Sequence, residues 1–420
     1  MAEKFIALRR APHKEAAAEQ AHSVAEARTV LVESARQPNT TDQLERIGLQ
    51  VLDPCEHNAD GDNSLWPLCY LDAFVVEAED PQVANKARRM LQPEYMIVPN
   101  ALLALAAPER GRLYQRLPYR DRRWPEVSGV ELAHAQANRG QGTLVCVLDT
   151  GVDADHAELR RKVIDFRYIP LDPRSGVMRT VRGFDVDGHG THVSGIIAGR
   201  NVGIAPDADL MVAAVLESET LRTSLERVVV ALNWVLAQFE DPTNRDKPVI
   251  VNMSLGFLRA SLDRTDLESP VQGLQKVLST LLDEFHVLPI CAVGNEGVNS
   301  VRAPAYFGDT LSVGAVDWDL HVAAFSGGGK SPLTDEIEPN LVGYGVDILS
   351  SFERTIYNRS LYRKMSGTSM AAPYVTGIAA LHAAQDPGLQ GRALWDHLVK
   401  TALPLDAPPD RAGSGLARFV

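Results

Sequence analysis

Cysteine is scarce: four in 420 residues, too few to build a disulfide framework. Cys146 (TLVCVLD) and Cys291 (VLPICAVGN) fall in apolar runs that read as buried strands, where a thiol is an inert core residue. Cys55 and Cys69 could pair, but free thiols are the reading, because the N-terminus MAEKFIALRRAPHKEAAAEQ has no export-signal core. FIAL is its longest apolar run, and Arg9-Arg10 interrupt it. No apolar stretch approaches the ~20 residues that span a bilayer, so no membrane partner is expected. Positive charge is also short. A net charge of −12 argues against nucleic acid or an anionic membrane as the main partner, and leaves peptides open. The remainder is ordinary for a globular chain: 45% hydrophobic and 23% charged residues, and a length that fits one large domain plus a smaller one. A cytoplasmic location is expected, with unconventional export left open.

From about residue 143 onward, apolar runs alternate with helical patterns. TLVCVLD, LMVAAVL, VIVNMSL, VLPICAVGN and TLSVGAV read as buried strands. Between them, TSLERVVVALNWVLAQFE and VQGLQKVLSTLLDEF repeat apolar residues at three- and four-residue steps. The alternation predicts an α/β fold in which a mostly parallel sheet is covered on both faces, with ligands at the carboxyl ends of its strands. Asp149, Ser254 and Asn295 each close one of these runs. The first ~110 residues differ: an Ala/Glu-rich helical stretch (14–36), then ERIGLQVLDP, LCYLDAFVVEAED, PQVANKARRMLQ and EYMIVPN read as a small α+β domain. The boundary is placed between 115 and 116. The basic segment ERGRLYQRLPYRDRRWP carries six arginines between residues 110 and 123 and reads as a solvated linker.

Three polar sites stand out: Asp149 in VLDTGVD, His189 in DGHGTHVSG and Ser369 in SGTSMAAP. Alone, each has an ordinary reading. A serine can cap a core helix, an aspartate before Thr-Gly can be a turn residue, and His189 with His192 has metal-pair spacing but no accompanying carboxylate or cysteine cluster. Together they are the set acyl transfer requires. A serine hydroxyl is a weak nucleophile until a base takes its proton; imidazole is that base near neutral pH, and a buried carboxylate fixes its tautomer. Asn295 in AVGNEG can donate a side-chain N–H to an oxyanion beside the Ser369 backbone N–H.

Over roughly residues 120–420, the motifs DTGVD, GHGTHVSG, NMSLG, GNEG and SGTSMAAPYVTG resemble those of subtilisin-like serine proteases, whose catalytic residues follow the same chain order Asp, His, Ser. The resemblance implies a three-layer subtilisin-like domain (116–420) and a serine endopeptidase, with Asp149 orienting, His189 as general base and acid, Ser369 as nucleophile and Asn295 in the oxyanion hole. It also implies strand-addition binding of an extended peptide or protein substrate along Ser254-Leu255-Gly256, with Ala292-Val293-Gly294 as the other wall of the primary pocket. Residues 1–115 resemble, more faintly, the prosegments of the family. That implies an intramolecular inhibitor and folding aid, cut in cis within residues 100–124, against the alternative of a permanent recruiting or regulatory domain. Dedicated maturation of one peptide uses the same residues, and a catalytically silent binding protein is the reading from another class.

Two departures from the family matter. Many members carry a calcium-cradling loop after the histidine helix, whereas GRNVGIAPDADL runs straight into the next strand. Too few oxygens remain for the six to eight that calcium takes, so no metal is expected there and no cofactor is implied, with calcium elsewhere open. The second is Arg302, whose position in the family lies near the base of the primary pocket. An arginine there favours Asp or Glu before the cleaved bond; the alternative is a side chain pointing to solvent.

Overall fold

The computed structural model describes residues 3–10, 21–35, 40–52, 63–118, 123–170, 181–217, 221–257, 268–355 and 357–420. Strands β1 (Glu3–Arg9), β2 (Gln50–Val51), β3 (Asn63–Leu68), β4 (Ala73–Ala78) and β5 (Tyr95–Pro99) form one sheet in the order β2-β3-β4-β1-β5. Helix α1 (Val24–Ala35) lies between β1 and β2, and α2 (Pro81–Leu91) between β4 and β5. Asp80 accepts from the Gln82 backbone N–H at 2.8 Å and Pro81 opens the helix, the pairing that a helix start favours. The period of two in β1 divides its side chains: Phe5 and Ala7 join a core with Val83, Ala87 and Leu91 of α2, while Ile6 and Leu8 face the larger molecule. FIAL, the longest apolar run of the N-terminus, belongs to an internal strand of this sheet.

The chain then crosses as β6 (Leu102–Leu105) and β7 (Glu109–Tyr114) before entering β8 (Leu144–Asp149). The first six residues of the basic segment expected as a solvated linker are therefore β7, a paired strand. After β9 (Ile164–Tyr168) come α3 (His189–Ala198), β10 (Asp209–Ala214), β11 (Arg222–Ser224), α4 (Leu225–Ala237), β12 (Val249–Met253), β13 (Leu255–Phe257), α5 (Glu268–Ser279), β14 (Val287–Ala292) and β15 (Leu311–Val316). The last elements used here are β16 (Leu341–Tyr344), β17 (Ile348–Arg354), β18 (Ser360–Ser366), α6 (Thr368–Gln385) and α7 (Gly391–Thr401).

Seven strands form a wholly parallel sheet in the order β16-β15-β14-β12-β8-β10-β9. Strand β8 explains why helices cover both faces. Val145 and Val147 pack with Val193 of α3 and Ala372 and Val375 of α6, whereas Leu144, Cys146 and Leu148 pack with Val228 and Leu232 of α4 and Leu274 of α5. Every residue of β8 is buried, as a strand with two covered faces must be. Cys69, Cys146 and Cys291 are free thiols, and burial pushes those of Cys146 and Cys291 well up; Cys55 lies outside the described residues. No described helix is long and apolar enough to cross a membrane.

The N-terminal sheet lies on the outer side of α4 and α5. Gly273 of α5 lets it come close, since a Cβ there would meet Val98 Cγ2 at 2.9 Å. Lys4 Nζ stands 3.1 Å from both Glu77 and Glu226, and Asn100 exchanges hydrogen bonds with Glu226 at the start of α4. Beyond the C-terminal ends of these two helices, the buried Arg28 of α1 donates to the carbonyls of Phe285, Arg245, Lys247 and His286 and stacks over Phe239.

Candidate active site

Strands β14, β12 and β8 are neighbours, so their carboxyl ends bring Asn295, Ser254 and Asp149 to one edge of the sheet. Asp149 is the last residue of β8, and its Oδ1 accepts at 2.7 Å from both the Thr150 backbone N–H and His189 Nδ1. His189 is the first residue of α3, which packs on β8 and on α6. Burial opposes charge on the His189 ring, but the Asp149 carboxylate, joined by Asp187 and Asp185, outweighs it and holds the pKa above the ordinary 6.5. With Nδ1 turned to Asp149, Nε2 is the free end of the base. Among the described residues, neither His189 Nε2 nor Ser369 Oγ has a hydrogen-bond partner, though both are buried. An unpaired buried base and hydroxyl are expected where a third participant completes the arrangement.

Two supports were not read from the sequence. Asp185 accepts from the backbone N–H groups of Asp187, Gly188 and Thr191, so it caps the helix that starts with His189. Thr368 fixes Asn295: the Asn295 Oδ1 accepts from the Thr368 N–H and hydroxyl, each at 2.9 Å. That leaves the amide nitrogen pointing outward, where it donates to the carbonyl of Ala106 at 3.1 Å and reaches that of Ala107 at 3.4 Å. Only the three-residue offset of Asp185 from Gly188 and the adjacency of Thr368 to Ser369 hinted at these roles.

The groove is filled by the chain itself. β6 adds as a middle strand between β11 and β13, antiparallel to both, with Leu103, Ala104 and Leu105 opposite Phe257, Gly256 and Leu255. Ser254 precedes β13 and is buried; Ala292, Val293 and Gly294 continue from β14, with Gly294 at φ 104°. Arg302 lies between these two walls. A Cβ on Gly256 would meet Arg302 Cβ at 3.1 Å, and one on Gly294 would meet its Cγ at 3.2 Å. Its Nη2 pairs with Glu296, while Nη1 is buried and without a partner. Arg302 thus lies between Gly256 and Gly294, at the strand ends that also carry Asp149, bonded to His189, and Asn295, bonded to Thr368 next to Ser369.

After α3 the turn is held by donors. Glu158 accepts from the Asn201 N–H at 2.6 Å, the Asn201 side-chain amide at 3.0 Å and the Tyr362 hydroxyl at 2.9 Å. N–H and O–H groups occupying the carboxylate do not make an oxygen cage, so these residues do not fit a calcium ion. His192 gives Nε2 to the carbonyls of Ile348 and Arg363, and burial pulls its pKa down to about 3; it is a structural residue beside His189.

The subtilase family model matches residues 140–418. The chain is 47% identical over 305 residues to the subtilisin-like protease PopC of Myxococcus xanthus, covering 71% of this chain and 64% of PopC, less than two thirds of that relative's length. It is 32% identical to an intracellular serine protease of Paenibacillus polymyxa (69% of this chain, 83% of that one) and 32% identical to the major intracellular serine protease of Bacillus subtilis (67% and 82%). With the site geometry and the matched segment in agreement, the chain belongs to the subtilase family.

Proposed function

We propose that this chain is a serine endopeptidase whose N-terminal domain (1–115) blocks the cleft of the catalytic domain (116–420) until a cut within residues 100–124 releases it. The observation that carries this reading is the placement of an extended chain segment in the groove, with the Ala106 carbonyl on Asn295 Nδ2 beside Asp149, His189 and Ser369. An extended strand whose carbonyl meets the oxyanion donor is laid out as a substrate. In turnover, His189 Nε2 takes the Ser369 proton as Oγ attacks the carbonyl carbon. The imidazolium that forms is stabilised by Asp149, and the oxyanion by the Asn295 amide. Collapse transfers the proton to the leaving nitrogen and leaves an acyl-serine, which water hydrolyses by the same steps in reverse order.

The shorter bond of Asn295 Nδ2 to the Ala106 carbonyl than to that of Ala107 supports Ala106–Ala107 as the bond presented, inside the 100–124 window expected for cis cleavage. Incubation of wild-type chain should yield a fragment beginning at Ala107, and Ser369→Ala should yield none. A fluorophosphonate probe should label Ser369 in the processed wild type and not in His189→Ala; no labelling at any stage ends the endopeptidase reading. Arg302, with one N–H unpaired in the pocket, favours Asp or Glu before the cleaved bond, and a peptide library should lose that gain in Arg302→Ala. The two relatives described as intracellular support a cytoplasmic site of action.

A further inference from the structure

Downstream of Ala107 the N-terminal segment does not leave the molecule. It turns at Pro108, which packs against Gly367, and continues as β7 along the edge of the β17–β18 hairpin. Glu109, Arg110, Leu113 and Tyr114 stand opposite Ser366, Met365, Arg363 and Tyr362. Gly111 lies flat on this edge: its Cβ would be 3.1 Å from the Lys364 carbonyl, and its own carbonyl accepts from Arg363 Nε. β18 ends at Ser366, three residues before the nucleophile, so the edge is continuous with the catalytic cleft. Arg110 places its guanidinium on both oxygens of Asp187 at 2.5 Å, and Asp187 stands two residues before His189. The Asp187 side chain is 11% exposed.

We propose that the β18 edge together with Asp187 is a substrate-binding site for the leaving side of the polypeptide. It would accept an extended strand reaching about eight residues beyond the cleaved bond and select Arg or Lys at the fourth. This rests on the endopeptidase reading and on Ala106–Ala107 as the bond presented; counting from Ala107, Arg110 is the fourth residue and Tyr114 the eighth. Two physical facts point to substrate as the replacement occupant. After the cut at Ala106–Ala107, β7 is the new N-terminal segment, held to the chain at one end only, and its displacement from β18 by a substrate strand exposes a row of backbone groups, a ready template for another extended chain. It also leaves a nearly buried carboxylate without its cation, and the neighbouring Asp185 and Glu353 deepen that negative field. An incoming basic residue relieves both.

The test uses the full-length chain after incubation to constant activity, with fluorogenic peptides identical up to the cleaved bond. They extend two or eight residues beyond it, and the longer ones carry Arg or Glu at the fourth position. The eight-residue Arg substrate should exceed the two-residue one by about tenfold in kcat/KM, and the Glu version should lose about that factor. In Asp187→Asn the ratio between the Arg and Glu substrates should collapse toward one. Equal rates for all three substrates on the wild type overturn the proposal, whatever the variant does. Failure to cleave any of them sinks the endopeptidase reading, and this proposal with it.

Discussion

At the scale of single residues, the site is set by which groups are left without partners and which are held. Asp149 controls the base. Catalysis needs neutral imidazole, and the His189 pKa lies above 6.5, so kcat/KM should rise with pH through a midpoint above that value. The same shift stabilises the folded chain fully below about pH 6.5, and the contribution is lost as pH rises through the folded pKa. In Asp149→Asn the largest opposition to burial is lost and only the more distant Asp187 and Asp185 still favour the cation, so the midpoint should fall relative to wild type while turnover falls by about four orders of magnitude; a pH–rate profile of both proteins reads this directly. Thr368 controls the oxyanion donor. Thr368→Val keeps shape but removes the hydroxyl from Asn295 Oδ1, and should lower kcat by about ten- to a hundredfold with KM little changed. A matching rise in KM would mean that Thr368 serves substrate binding instead. The four residues proposed as catalytic could be singled out because each sits in a short motif of small residues, whereas Thr368 and Asp185 act by hydrogen bonds that an unaligned sequence does not display.

Elements were legible where their pattern is self-contained. The buried strands β8, β12, β14 and β15 announce themselves as apolar runs, since both faces are covered. β7 does not: ERGRLY has no buried residue, and only the distant β18 makes it a strand. β6 reads as apolar, but its role depends on partners more than a hundred residues away. The helix that begins at Thr368 carries a proline inside it. Pro373 is its sixth residue, beyond the positions whose N–H groups are free, so the bond to the Ser369 carbonyl is missing. For α3, the cap is the element's foundation. Asp185→Ala removes the acceptor for three backbone donors and should cost roughly 1–2 kcal/mol in chemical denaturation, with loss of activity exceeding the loss of folded protein because His189 starts that helix.

For the whole molecule, the question is what keeps the N-terminal unit on a catalytic domain that has its own core. The strand in the groove is one tether; Arg28 is another, beyond the C-terminal ends of α4 and α5. Burial draws its pKa down to about 9, so it remains a cation near neutral pH, satisfied by four backbone carbonyls and the face of Phe239. A planar fork is needed to reach all four, and lysine has none. Arg28→Ala strands those carbonyls and should destabilise the full-length chain by roughly 2–4 kcal/mol in chemical denaturation, with Arg28→Lys recovering little. If the unit gates the cleft, loosening this distant anchor should also speed fluorophosphonate labelling of Ser369 in unprocessed protein, although Arg28 touches no catalytic group. Destabilisation with an unchanged labelling rate would mean that the groove strand holds by itself, and that the far anchor serves only folding.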